Sequence, residues 1–300
     1  MAGLKLGQRI ALRYYKTKFR IWAAISKKKA AEKAFDLFCT PQQRKLKKLS
    51  KIFEQAEKSQ FKVEGITITG WRWKPVRSGY PRPYRHGPAG GYPAERKVLI
   101  LHGFESSVTN FDRYIKPLTQ KGYEVLAFDA PAHGRSGGKK ITAPLYKKTI
   151  QEINKRFGPV QSYLAYSFGG LAVSLALEET EHTNDYRLVL IAPATETVTA
   201  IDTFFSFLKL DPALRPEFDK IILQKGGVSP SWYSIGRALK HLRAKVLWFH
   251  DEEDDVTPLS DVLKVKAENY PNAEFVITKG LGHRRIYRDN KVSKQIIEFL

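Results

Sequence analysis

Four short segments carry residues that could do covalent chemistry together. Tyr163-Leu164-Ala165-Tyr166-Ser167-Phe168-Gly169-Gly170 sets a serine among small residues. A small-x-Ser-x-Gly pattern is weak alone, since a chain this long contains about one by chance. Its context strengthens it. An apolar run leads in and a helical pattern leads out, so Ser167 falls on a tight strand-to-helix turn. Such a turn lifts the hydroxyl out of the sheet at a backbone strain of roughly 1–3 kcal/mol, and it requires small neighbours. A hydroxyl becomes a useful nucleophile beside a general base. The chain has seven histidines, and His283 in Gly280-Leu281-Gly282-His283 follows the last strand-like run. A base of this kind is oriented by a carboxylate. Asp251, Glu252, Glu253, Asp254 and Asp255 form an acidic run straight after Phe249-His250, and composition does not choose among them. The fourth segment, Leu101-His102-Gly103-Phe104, ends another apolar run.

The elements that would position these groups alternate. Short apolar runs occur at Val98–Leu101, Val125–Phe128, Ser162–Tyr166, Leu188–Ile191, Val246–Phe249 and Phe275–Ile277. Helical patterns separate them, and the last runs from Asn290 to Leu300. This rhythm predicts an α/β fold: a mostly parallel sheet covered by helices on both faces, with chemistry in loops beyond the carboxyl ends of its strands. Phe61 to Trp73 reads as two strands around Glu64-Gly65, and Lys74 to Arg96 as an irregular loop rich in proline and glycine. Residues 194–240 break the alternation with Phe204, Phe205, Phe207, Phe218 and Trp232, and read as a small helical cap insertion. Residues 1–60 read as a basic helical N-terminal extension before a core of residues 61–300. Within the extension, Thr40-Pro41 has the form of a cap and first position for a helix running to about Lys58.

These segments, in this order, resemble the α/β-hydrolase superfamily over residues 61–300, and the chain order Ser–Asp–His is that family's order. The family usually has glycine where Ala165 stands. The resemblance implies that Ser167 is the nucleophile and His283 the base, and that the backbone N–H groups of Phe104 and Phe168 form an oxyanion hole. It selects Asp254 as the acid, through His250, Val256 and Pro258 around it, with Asp255 and Glu196 as alternatives. Asp251 replaces a usual glycine. The segment Asp129-Ala130-Pro131-Ala132-His133-Gly134-Arg135-Ser136 resembles the family's Asp-x-Pro-x-His-Gly-x-Ser loop, and it and His102 read as structural. Serine at the nucleophile position argues against dehalogenase and epoxide hydrolase chemistry, which uses aspartate there. The implied reaction is carboxylic ester hydrolysis through an acyl-enzyme, and the aromatic cap suggests apolar acyl groups. Acyl transfer, thioester cleavage and carbon–carbon bond hydrolysis on the same triad stay open, as does a non-catalytic scaffold. No metal or organic cofactor is implied, because no His/Cys ligand cluster or phosphate-binding Gly-Lys-Ser/Thr loop is present.

Charge bears on partners. The net charge is +21, and residues 1–60 hold 16 Lys/Arg against four acids. Such an arm suits an anionic partner, and a peripheral contact with a membrane surface through residues 1–58 is one expectation. A helical flank with a solvated basic face is the plainer one. No recognised nucleic-acid motif accompanies the charge. Oligomeric state is not legible. Cys39 is the single cysteine, so no intrachain disulfide forms. No apolar segment reaches the ~20 residues that span a bilayer, and Phe19–Ile25 is too short and too far along for a signal peptide. The expected location is cytoplasmic.

Overall fold

The computed structural model describes residues 6–42, 46–76 and 96–300. Most of the Lys74–Arg96 stretch read as a loop therefore lies outside the described residues. The chain opens with helices α1 (Leu6–Ile25) and α2 (Lys27–Phe38), then strands β1 (Glu57–Val63), β2 (Ile66–Trp73) and β3 (Lys97–Leu101). Alternation follows: α3 (Asp112–Gln120), β4 (Glu124–Phe128), α4 (Ala143–Phe157), β5 (Ser162–Tyr166), α5 (Phe168–Leu177) and β6 (Arg187–Ile191). Helices α6 (Thr197–Leu208), α7 (Arg215–Gly226) and α8 (Ile235–Leu239) lie in the stretch read from sequence as a cap. The chain then completes the sheet with β7 (Lys245–Asp251), α9 (Leu259–Ala267), β8 (Ala273–Thr278), the short α10 (Gly282–Arg285) and α11 (Asn290–Phe299).

Among the described residues the strands form one eight-stranded sheet in the order β1-β2-β4-β3-β5-β6-β7-β8. From β4 through β8 the pairings are parallel, while β1–β2 and β2–β4 are antiparallel. The expected mostly parallel sheet is therefore the one observed. The central strands are buried on both faces, which is why they read as continuous apolar runs. Leu99, Tyr163, Leu188 and Trp248 face one core with α4, α5 and the cap, while Val98, Leu164, Val189 and Phe249 face the other. β1 is an edge strand with mixed burial and charged side chains, as an unpaired edge requires. Glu64 and Gly65, both at positive φ (48° and 76°), make the two-residue hairpin turn into β2.

The sheet order reverses between β3 and β5. β4 lies on one side of β3, and β5 to β8 lie on the other. Loops leaving the carboxyl ends of β3 and β5 diverge there and leave a crevice for chemistry.

The N-terminal segment departs from expectation. Among the described residues no α-helix follows Thr40-Pro41, and a 3-10 helix covers only Lys51–Gln55. The Thr40 hydroxyl turns back to donate to the Asp36 carbonyl (2.6 Å), residues 46–50 carry no regular element, and β1 begins at Glu57. Tertiary contacts override the local signal. Phe53 packs edge-on against Trp71 and Trp73, and the Trp73 indole N–H donates to the Ile52 carbonyl at 2.8 Å. A continuous helix could not deliver both groups to β2. Upstream, α2 buries Ala30, Ala31, Ala34 and Phe35. Phe35 and Phe38 make edge contacts with Phe218 of α7, and Phe38 does so with Phe204 of α6. Helix α2 is thus packed onto α6 and α7. No helix among the described residues is long and apolar enough to cross a membrane.

Candidate active site

Ser167 occupies the turn between β5 and α5 with φ 53° and ψ −122°, a left-handed conformation strained for any residue with a Cβ. Its N–H donates to the Ile191 carbonyl (3.0 Å), and its own carbonyl accepts from Gly170 (2.9 Å) and Ala194 (3.1 Å). The turn is therefore over-determined by neighbouring backbone. Packing explains the small residues. A Cβ on Gly169 would lie 2.7 Å from the His102 carbonyl oxygen, and one on Gly103 would lie 2.7 Å from the Ser167 Cβ. Ala165 lies in β5 before the turn, fully buried and paired with Leu101 and Leu190. A methyl group is accommodated there.

His283 and Asp254 arrive from later loops. The His283 Nε2 is 3.2 Å from the Ser167 Oγ, and its Nδ1 is 2.8 Å from the Asp254 Oδ2. A carboxylate only accepts, so Nδ1 carries the proton and Nε2 faces the serine as an acceptor. The Asp254 Oδ1 accepts from the N–H groups of Val256 (2.9 Å) and Thr257 (2.8 Å), and Oδ2 accepts from the Thr257 hydroxyl (3.0 Å). Burial works against the charged carboxyl, but the bond to His283, its charge and the two amides outweigh burial and hold Asp254 below the usual carboxylate range. Asp255 is exposed. Glu196 stands before α6, accepts from the Ser234 hydroxyl at 2.7 Å, and is pushed upward by burial. Of the candidate acids, Asp254 is the one against His283.

Sequence reasoning missed the groups behind the base. The Asp251 carboxylate, buried at the end of β7, accepts four hydrogen bonds. These come from Glu253 N–H (3.0 Å), Gly282 N–H (2.8 Å), Leu281 N–H (3.0 Å) and the Thr278 hydroxyl (2.7 Å). It ties the loop carrying His283 to the strand leading to Asp254. The signal was present in the sequence, as a carboxylate where the family has glycine. Tyr166 adds a bond from its hydroxyl to the His283 carbonyl (3.1 Å). Burial disfavours the charged form of Asp251, yet Thr278 and the amides of Gly282, Glu253 and Leu281 hold its carboxyl below the ordinary range. A depressed folded value stabilises the protein above the unfolded value of about 3.9, and that stabilisation is lost as pH falls through the folded value. Asp251→Asn is therefore expected to cost about 1.5–3 kcal/mol near neutral pH. The gap from wild type should narrow in acid. Turnover should fall about tenfold through misplacement of His283. Denaturant titrations at neutral and acid pH check this, and a pH-independent gap would contradict it.

Three other histidines of this region brace the surrounding loops. His102 is fully buried; its Nε2 accepts from Ala130 N–H (2.9 Å) and its Nδ1 donates to the Gly103 carbonyl (2.8 Å). Burial pulls its pKa down to about 4. His133 Nε2 accepts from Glu105 N–H at 3.0 Å, and Asp129 accepts from the N–H groups of Val108 (3.0 Å) and Arg135 (2.8 Å). The 129–136 loop thereby fixes the backbone around Phe104. His250 donates from Nε2 to the Thr257 carbonyl (2.8 Å), and burial lowers its pKa. Gly103 brings the start of the Phe104 loop against the serine: a Cβ on Gly103 would lie 3.2 Å from the Ser167 Oγ. Phe168 opens α5, where first-turn N–H groups have no helical acceptor. Ser167 and His283 are 7% and 6% exposed, so charge developing between them is poorly screened by water.

Comparisons with known proteins bear on the same architecture. The family model described as serine aminopeptidase, S33, matches residues 92–225, a span that contains Ser167 but stops before Asp254 and His283. The uncharacterised protein YqkD of Bacillus subtilis is 24% identical over 265 residues, covering 83% of this chain and 81% of its own length. The lysophosphatidylserine lipase ABHD12 of Danio rerio is 24% identical over 263 residues, covering 79% and 67%. Among solved structures, the Pyrococcus furiosus esterase Pf2001 superposes with a TM-score of 0.61 at 18% identity, covering 87% of this chain and 95% of that one.

Proposed function

Because the chain belongs to the α/β-hydrolase superfamily, we propose that it is a serine hydrolase that cleaves carboxylic esters through an acyl-enzyme on Ser167. The observation that carries the reading is the unbroken chain from Asp254 to His283 (2.8 Å) to Ser167 (3.2 Å), with the serine at positive φ. In the proposed mechanism, His283 Nε2 takes the Ser167 proton as Oγ attacks the ester carbonyl. The negative charge that develops on the carbonyl oxygen is received by the N–H groups of Phe104 and Phe168. Each such donor contributes about 10²–10³ in rate. His283 then passes the proton to the departing alcohol oxygen. Water, activated by the same imidazole, attacks the acyl-enzyme and frees the acid.

An apolar acyl group suits the surroundings. Phe104 and Phe168 flank the serine loop with ring centroids 6.3 Å apart, and Phe168 also meets Tyr146 at 5.8 Å. Two of the similar proteins are named an esterase and a lysophosphatidylserine lipase. The direct test is labelling of the purified protein with a fluorophosphonate probe. Labelling is expected in wild type, absent in Ser167→Ala and strongly reduced in His283→Ala. Wild-type protein that stays unlabelled would count against an activated nucleophile. Turnover of aminoacyl amides in preference to esters would overturn the substrate class while leaving the nucleophile in place.

A further inference from the structure

We propose that the outward face of α1 docks this protein on an anionic lipid bilayer. The helix carries Arg9, Arg13, Lys16, Lys18 and Arg20 with no acidic residue; Lys27, Lys28 and Lys29 follow, and the first acid in the chain is Glu32. One side of α1 is occupied: Phe19 is buried, and Tyr15, Trp22 and Ala23 pack half-buried against the same core. At about 100° per residue, Tyr14, Ile21 and Ile25 fall within about 40° of one another, on the side away from Phe19. They are 56%, 55% and 73% exposed. Arg13 and Arg20, both exposed, border this stripe on one side. Lys18 borders it on the other, donating to the Tyr14 hydroxyl at 2.7 Å.

An apolar stripe bordered by cations fits one occupant best. A second copy would bring two basic borders together. A nucleic acid would use the cations and leave Ile21 and Ile25 in water. An acidic bilayer takes both: the isoleucines enter the headgroup–acyl boundary while the arginines and lysines meet lipid phosphates and carboxylates. The long basic side chains can lay their stems along the apolar boundary and keep their heads at the lipid charge.

Docking there would also set the orientation of the site. α1 packs on α2 and α6, and α2 packs on α7. Beyond α2, the Cys39 carbonyl accepts from Ile141 N–H (2.9 Å), and the Gln42 N–H donates to the Glu105 carboxylate (2.8 Å), one residue from Phe104. A continuous path of contacts thus runs from α1 through α2 and residues 39–42 to the rim of the serine crevice. The proposal does not depend on the reaction at Ser167.

The test is sedimentation of the full chain with phosphatidylcholine vesicles, with and without phosphatidylserine. Binding is expected only with phosphatidylserine, and it should weaken as salt rises. Ile21→Ser/Ile25→Ser and Arg13→Gln/Arg20→Gln should each lower partitioning on the order of tenfold. Their circular dichroism, and any hydrolysis of a soluble ester, should not change. An environment-sensitive dye on Ile21→Cys, with Cys39 buried and unlabelled, should shift to the blue on anionic vesicles, while the same dye on Lys294→Cys should not. Equal binding by the variants, equal binding to neutral vesicles or a blue shift confined to position 294 would overturn the proposal. So would binding to a duplex oligonucleotide without vesicle binding, or dimerisation that depends on the stripe.

Discussion

Ser167→Gly is expected to abolish turnover and to make the protein more stable. The serine sits at φ 53°, where a Cβ costs roughly 1–3 kcal/mol and glycine has no Cβ to clash. Glycine also gives the unfolded chain more freedom, which takes back about 0.5–1 kcal/mol. The net gain should be about 1 kcal/mol, or ~2–3 °C in Tm for a chain of this size. Among the described residues, the side-chain bond lost is that to His283 at 3.2 Å. Turnover should fall by roughly 10⁵–10⁶, the scale on which triad nucleophiles act. Ser167→Ala keeps the Cβ, so it should lose the same activity without the gain in stability. Ester turnover and thermal melts of the three proteins separate the two effects. A glycine variant less stable than the alanine variant would contradict strain at the elbow. Turnover within tenfold of wild type would contradict the assignment of the nucleophile.

The second large effect is expected from Asp254→Asn, and the hydrogen bonds around it explain why an isosteric change should be so costly. Oδ1 accepts two backbone N–H groups, from Val256 and Thr257. The amide oxygen must stay on that side, which places the new NH₂ where Oδ2 faced His283 Nδ1 at 2.8 Å. The imidazole then accepts at Nδ1 and carries its proton on Nε2, pointing at Ser167. A protonated Nε2 cannot take the serine proton. Loss of about 10⁴ in kcat is expected, with the fold intact. Asp255→Asn, at an exposed position, should leave kcat within about twofold. Equal losses in the two variants would remove Asp254 from its proposed role.

The parts of this molecule legible in the sequence are those set by periodicity and by unusual backbone. Val98–Leu101, Ser162–Tyr166 and Leu188–Ile191 announce buried parallel strands because both of their faces are covered. Gly169 and Gly170 announce the elbow because larger groups would strike neighbouring backbone or Pro193. What was not legible depends on contacts distant in the sequence. Thr40-Pro41 carries a good local helix signal, but Ile52 and Phe53 are drawn to tryptophans some 20 residues later. Asp251 stands in an acidic run, marked out only by replacing the family's usual glycine. Its role appears only when Thr278, Leu281 and Gly282 close around it. Choosing Asp254 over Asp255 needed a motif, since alternation along a loop carries no facing information.

The separation of the proposed nucleophile and base also has a meaning in time. Ser167 and His283 lie 116 residues apart along the chain. At a synthesis rate of ~5–20 residues per second, roughly 6–20 s pass between translation of the serine and of the histidine. Once β6 has been made, the elbow has its backbone partner at Ile191, but His283 is still to be translated. In the proposed mechanism the growing polypeptide is therefore unreactive toward acyl donors. Reactivity at Ser167 is then expected only once β8 and the loop behind it have joined the sheet.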